Sequence, residues 1–221
     1  MNYCSPREEL MQLTESQEAP LAELIRIGGD IVGRKLTKAS AGNLSFRDPE
    51  NPNQMIITGA GTWLNRLDKG SFVKISLDGD IIEGQLRPST EWKVHAEIFK
   101  KRPDANFVIH AHPKNSVLMD ALDKEIRFFT LDHISYVRSY ASSPFAPNAS
   151  DELADNVAEL FDQNDVVIMS HHGVVTCGET ATWAYRKMLN MEDSAEMTYK
   201  ALLLGDETSS FPKDQILSVH N

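Results

Sequence analysis

From Leu21 to Gly205 short apolar runs alternate with longer helical periods, and no other feature constrains the fold as much. Met55-Ile-Ile-Thr58, Asn106-Phe-Val-Ile-His-Ala-His112 and Asp165-Val-Val-Ile-Met-Ser170 are bounded by turn residues, as buried strands are. Between them apolar residues recur at helical spacing: Leu21, Leu24, Ile25, Ile31 and Val32, then Val94, Ile98 and Phe99, then the stripe Ala181, Ala184, Met188, Met191, Ala195. Neither element buries its apolar face alone, so strands and helices must share one core, which predicts a single α/β or α+β domain. Phe72 to Ser76 and Ile81-Ile82, joined by Leu77-Asp-Gly-Asp80, form a hairpin pattern, so antiparallel pairing is predicted. The expected boundaries are a polar tail over residues 1–20, one domain over 21–205 with Gly205 ending the last helix, and a second tail over 206–221.

Composition narrows the classes of partner. With 32 acidic against 22 basic side chains the formal net charge is −10, which gives no electrostatic reason to seek nucleic acid or an anionic membrane. No apolar run approaches the roughly 18 residues needed to cross a bilayer, and the charged first twenty residues lack the core of a secretory signal. Two distant cysteines, Cys4 and Cys177, make no disulfide framework and read as free thiols. A cytoplasmic protein is the expectation.

His110 and His112 carry the sharpest chemical signal. Side chains two apart on a strand share a face, so both imidazoles project together just before Pro113 turns the chain. An isolated His-x-His at a wet sheet end needs no ligand, but a third histidine at another strand end shifts the balance. Ser170-His-His-Gly-Val174 supplies one, either His171 or His172, and spacing alone does not choose. Three histidines with an open position make a catalytic metal site rather than a closed structural one. Glu91 is the candidate acid or base, in the first turn of a helix opened by Ser89, where the helix dipole stabilises negative charge. The turns around Ser40 to Asn43, Thr58-Gly59 and Ser89-Thr90 offer hydroxyls and backbone amides that cradle a phosphate without lysines. His95 reads as packed or hydrogen-bonded rather than as a ligand, Cys177 as buried filler, and His133 and His220 receive no role.

Taken in order, Ser40-Ala-Gly-Asn-Leu-Ser45, Thr58-Gly59, Pro88-Ser-Thr-Glu-Trp92, His110-Ala-His112 and His171-His-Gly173 resemble the class II aldolase/adducin family over roughly residues 21–205. The resemblance implies a central, mainly antiparallel sheet with helices on both faces, in a four-fold homotetramer with active sites between subunits. The family's third histidine immediately precedes glycine, so the implied metal ligands are His110, His112 and His172, holding Zn2+ or another divalent transition metal. Glu91 is implied as the catalytic carboxylate. Ser40, Gly42, Asn43, Thr58, Gly59, Ser89 and Thr90 are implied as the phosphate pocket. The implied reaction is reversible cleavage of a ketose 1-phosphate, such as fuculose 1-phosphate, to dihydroxyacetone phosphate and an aldehyde. The fold also serves sugar-phosphate dehydratases, decarboxylases and 4-epimerases, and the non-catalytic adducin head. The related epimerases resemble this pattern with Asp at the position of Glu91, and an interaction module needs no metal triad. The chain departs from the family aldolases in its tail, which holds Phe211 and no tyrosine; Leu131, His133 and Tyr136 are not assigned the missing role.

Overall fold

The computed structural model describes residues 11–38, 40–212 and 215; Cys4 and His220 lie outside them. Among the described residues eight strands form one sheet: β1 (Asn43–Arg47), β2 (Gln54–Thr58), β3 (Phe72–Ser76), β4 (Ile81–Glu83), β5 (Phe107–Ala111), β6 (Ala141–Ser143), β7 (Val166–Met169) and β8 (Gly173–Gly178). Their order is β4-β3-β2-β1-β5-β8-β7-β6. Every neighbouring pair is antiparallel except β6 with β7.

The two-residue period of the strands divides the core. Leu44, Phe46, Phe107, Ile109, Ala111 and Val174 face one layer, packed with Leu21 and Leu24 of α1 (Glu15–Gly33), Met119 of α3 (Lys114–Ala121) and Met188 of α5 (Ala181–Leu203). Val108, Val167, Met169, Val175 and Cys177 face the other, against Val94 and Ile98 of α2 (Trp92–Lys101) and Leu153 and Val157 of α4 (Asp151–Leu160). Each fully buried Leu, Ile, Val or Phe contributes about 1.5–3 kcal/mol, so both layers are needed to hold the sheet. Helices on both faces of a mainly antiparallel sheet are what the sequence predicts.

Two local expectations are corrected. The boundary at Leu21 falls inside α1, which starts at Glu15 because Thr14 and Gln17 close a capping box. Pro20 is accommodated inside that helix, near its start. Beyond α3 the chain includes a π-helical turn, His133–Val137. Ser89 is not the cap of α2: Glu91 holds that position, and Ser89 instead accepts at its hydroxyl from the Glu91 amide, 3.4 Å away. Gly205 does end α5, with φ +80 and its amide bonded to the Leu202 carbonyl.

The antiparallel register gathers six strand termini at one end of the sheet. Asn43 pairs with His110, Ala111 with Val174, Met169 with Gly173, and Ser143 with Met169. The end of β2, the start of β1, the end of β5, the start of β8 and the ends of β7 and β6 therefore lie in a row. All the sequence-predicted chemistry sits on that row or on the N-terminus of α2 beside it.

Candidate active site

His110 is the penultimate residue of β5, which is buried throughout, and His112 follows just past its end at Ala111. The third imidazole depends on the β7–β8 connection. There the Met169 carbonyl accepts from the His172 amide at 2.9 Å, and His171 takes a left-handed conformation with φ 60. This tight turn leaves His171 exposed and swings the half-buried His172 towards the β5 pair. Gly173 is required by proximity: a Cβ there would lie 2.6 Å from the Ala111 carbonyl oxygen, 2.7 Å from His110 Cε1 and 2.7 Å from His112 Cδ2.

The three rings lie 4.8, 5.0 and 5.1 Å apart by centroid, and one nitrogen from each falls within 4.8 Å of the others. His110 Nδ1 donates to the Val174 carbonyl at 3.0 Å. That bond leaves the lone pair on Nε2, which points at His112 Nε2, 2.9 Å away. Burial pushes the His112 pKa down to about 3, helped by the neighbouring His110 and His172, and burial lowers that of His172 as well. Neutral imidazoles are the form that ligates metal.

Glu91 joins this cluster from the N-terminus of α2. Its Oε2 lies 3.3 Å from His110 Nε2 and accepts from Asn43 Nδ2 at 2.7 Å; its Oε1 lies 3.1 Å from His172 Nε2. Burial works to raise the pKa of this carboxyl, but attraction to the His110 and His172 imidazoles and the Asn43 bond more than offset it, and the net direction is downward. Oε1 is a buried oxygen with no hydrogen-bond partner. An orphaned carboxylate oxygen facing convergent imidazole nitrogens fits a divalent cation, which would satisfy both.

A cleft of about 200 Å³ opens in front of this group, lined by Ser40, Gly42, Asn43, Gly59, Ser89, Thr90, Glu91, His112 and His172 among others. Gly42 has φ +86, and a Cβ there would sit 2.6 Å from the His110 carbonyl oxygen, so a side chain is excluded twice over. The phosphate residues read from sequence are thus brought together with two exceptions. Thr58 does not line the cleft: it is buried, its hydroxyl accepts from the Leu44 amide at 3.2 Å, and its carbonyl accepts from the Ser89 amide at 3.0 Å. Asn43 lines the wall, but both ends of its amide are engaged, by Glu91 and by His95. Leu131, His133 and Tyr136 are absent from the lining; His133 pairs with Asp193, and Tyr136 packs on Trp183. Sequence reasoning missed Ala60, Gly61 and Asn148, which also line it. The first two extend the Thr58-Gly59 turn, whereas Asn148 sits in a Pro-rich loop that the sheet order alone brings to the row.

The model of the Class II Aldolase and Adducin N-terminal domain matches residues 22–199. The chain belongs to the class II aldolase/adducin family. Within it, the chain is 34% identical over 179 residues to the L-fuculose phosphate aldolase of Methanococcus maripaludis S2, covering 81% of this chain and 96% of that one. It is 28% identical to the 3-oxo-tetronate 4-phosphate decarboxylase of Escherichia coli K12, over 83% of this chain and 86% of that one. A solved L-fuculose 1-phosphate aldolase shares the fold with a TM-score of 0.84, 24% identity and coverage of 96% and 97%. The family's aldolases are lyases, so the residues gathered at this sheet end stand in a family of carbon–carbon bond chemistry.

Proposed function

We propose that this chain is a divalent-metal-dependent aldolase that reversibly cleaves a ketose 1-phosphate, of the fuculose 1-phosphate kind, to dihydroxyacetone phosphate and an aldehyde. The observation that carries the reading is Glu91, a residue of the cleft wall: its Oε2 is fixed by Asn43 and lies 3.3 Å from His110 Nε2, and its buried Oε1, without a hydrogen-bond partner, lies 3.1 Å from His172 Nε2. The turns at Ser40 and Gly42, Gly59 to Gly61, and Ser89-Thr90 hold the phosphate. That anchorage turns the substrate's carbonyl and adjacent hydroxyl towards the histidines. His110, His112 and His172 would hold a divalent cation such as Zn2+, which would supply Lewis-acid stabilisation of the charge that builds on those oxygens. As the C3–C4 bond breaks, its electrons pass into the C2 carbonyl, and the C4 hydroxyl passes its proton to the Glu91 carboxylate as the aldehyde forms. Glu91, in its acid form, then delivers a proton to C3; in condensation its carboxylate removes the same proton.

A second reading has specific support in the decarboxylase relative. Loss of the carboxyl carbon from a 3-oxo-tetronate 4-phosphate leaves the same enediolate of dihydroxyacetone phosphate, which Glu91 would protonate in the same way. The two are separated by the co-product. The zinc-loaded protein is offered each substrate and dihydroxyacetone phosphate is followed by coupled reduction, with aldehyde and carbon dioxide measured in parallel. Failure of every ketose 1-phosphate to release dihydroxyacetone phosphate would sink the aldolase reading.

The catalytic unit is taken to run from the start of α1 at Glu15 to Gly205, within a homotetramer whose active sites lie between subunits. Trp63 and Phe145, exposed at 45% and 65%, support an interface beside the cleft, since they stand two and three residues from Gly61 and Asn148. Light scattering reads the assembly directly. A cytoplasmic location is supported by Cys177, a buried free thiol; no helix among the described residues is long and apolar enough to cross a membrane.

A further inference from the structure

Behind Glu91 a line of buried polar side chains runs away from the cleft. Asn43 Oδ1 lies 2.5 Å from His95 Nε2, and His95 Nδ1 lies 2.6 Å from Ser45 Oγ. His95 and Ser45 are fully buried and neither lines the cleft. The strand period sets Asn43 and Ser45 on one face of β1, and the four-residue spacing sets Glu91 and His95 on one face of α2, so the line follows from the fold.

Only one arrangement of protons satisfies every member. An ionised carboxylate accepts and does not donate, so Asn43 must turn its NH2 towards Glu91 and its carbonyl towards His95. His95 must then donate from Nε2 and accept at Nδ1 from the Ser45 hydroxyl. Burial pushes the His95 pKa down to about 3, so the ring stays neutral and carries a single proton. A network of this kind is stabilising when complete and costly when one member is missing.

We propose that His95, its tautomer fixed by Ser45, is a positioning residue: it locks the Asn43 amide so that Glu91 Oε2 is held and Oε1 is the oxygen presented to the substrate carbon. The inference rests on Glu91 being the proton carrier of the proposed reaction. His95 itself touches no substrate; it acts through Asn43.

The test has two arms on the zinc-loaded full chain. Nitrogen-15 NMR of the histidine side chains reads the tautomer without reference to turnover. A hydrogen-bonded, slowly exchanging Nε2 proton on His95 is expected, and an Nδ1 proton overturns the proposal. In the second arm His95→Leu lowers kcat by about 10–100-fold, with KM and zinc content unchanged, and His95→Gln, which keeps a donor, recovers part of the loss. Ser45→Ala, a milder change, also lowers kcat and decides the matter if His95→Leu does not fold. Wild-type kcat in folded Ser45→Ala, or a loss that falls on KM or zinc content instead, overturns it. If the wild-type chain cleaves no ketose phosphate, the aldolase reading fails on its own, and the NMR arm still decides the tautomer.

Discussion

Gly173→Ala is the sharpest single probe of the metal site, because it alters no ligand and adds one methyl group. That group would meet the Ala111 carbonyl oxygen at 2.6 Å, His110 Cε1 at 2.7 Å and His112 Cδ2 at 2.7 Å. The Ala111 carbonyl belongs to β5, which is paired with Val174 of β8 at this residue, so the β7–β8 turn must shift away from it and the two rings must give way as well. Ordinary contact begins near 3.4 Å, so each ring must retreat by the difference from 2.7 Å. Overpacking of this kind costs about 1–3 kcal/mol. The strain falls on the arrangement in which the ring nitrogens converge, so most of it appears in metal affinity. At about 1.4 kcal/mol per decade, zinc binding should weaken by about 5- to 150-fold. Competition against a chromophoric chelator measures it, with circular dichroism to confirm that the variant is folded. Zinc affinity within twofold of wild type in a folded Gly173→Ala protein would refute the claim that these three imidazoles form the metal site.

Other expectations follow from the same coordinates. Gly29→Ala adds a methyl with nothing within 4 Å in the interior of α1. It should stabilise by about 0.5–1 kcal/mol and raise Tm by a few degrees, read by thermal melting. Glu91→Gln should keep zinc and lower kcat by about 10²–10⁴-fold; release of dihydroxyacetone phosphate at the wild-type rate contradicts the role given to the carboxylate. Lys187→Met breaks a partly buried pair, Lys187 Nζ to Asp165 Oδ2 at 2.6 Å, and strands the acid beside Arg102 alone; a loss of about 3 kcal/mol is expected. Burial opposes ionisation of Asp165, but Lys187 and Arg102 outweigh it and lower its pKa below 3.8. A depressed carboxyl stabilises fully above that value and loses its contribution as pH falls through the folded pKa. The Tm gap between wild type and Lys187→Met should therefore be widest near neutrality and close towards pH 2. A gap that widens in acid would contradict the sign. Cys177 has its thiol pushed up to about 12 by burial, so it should resist thiol reagents until the chain unfolds.

The sequence was informative where a residue's role follows from local geometry. His110 and His112 needed only the two-residue strand period. The choice of His172 over His171 needed a left-handed turn, which a histidine at that position does not advertise; the family's His-Gly order supplied it instead. Thr58 shows the opposite case. Its hydroxyl reads as a phosphate donor, but the register of β1 on β2 turns it inward to the Leu44 amide. The polar turn and the family resemblance suggest Asn43 as a phosphate contact, but its bonds to Glu91 and His95, 48 and 52 residues away, lie beyond any local pattern. The start of α1 was hidden for another reason: residues 15–20 carry little apolar period, and only the Thr14 capping box marks the entry.

How a chain of net charge −10 accommodates an anionic substrate is answered by where its charges sit. Among the described residues no lysine or arginine lines the cleft. Three of the partly buried cations, Arg47, Arg102 and Lys187, lie at the opposite end of the sheet. Arg47 donates to the Phe99 and Arg102 carbonyls at the C-terminus of α2, and Arg102 and Lys187 share Asp165. That placement neutralises the negative end of α2 and leaves its positive end, at Ser89 to Glu91, facing the cleft. Arginines and lysines there would compete with a cation for the Glu91 carboxylate and for the substrate's oxygens. With backbone dipoles, hydroxyls and imidazoles instead, the cleft would hold the phosphate of the proposed substrate at one side and leave the carboxylate and the histidines free to act together. On the proposed function, the acidic surface and an anionic substrate are compatible because the positive field would be produced locally, by helix orientation and by a cation at the histidine triad.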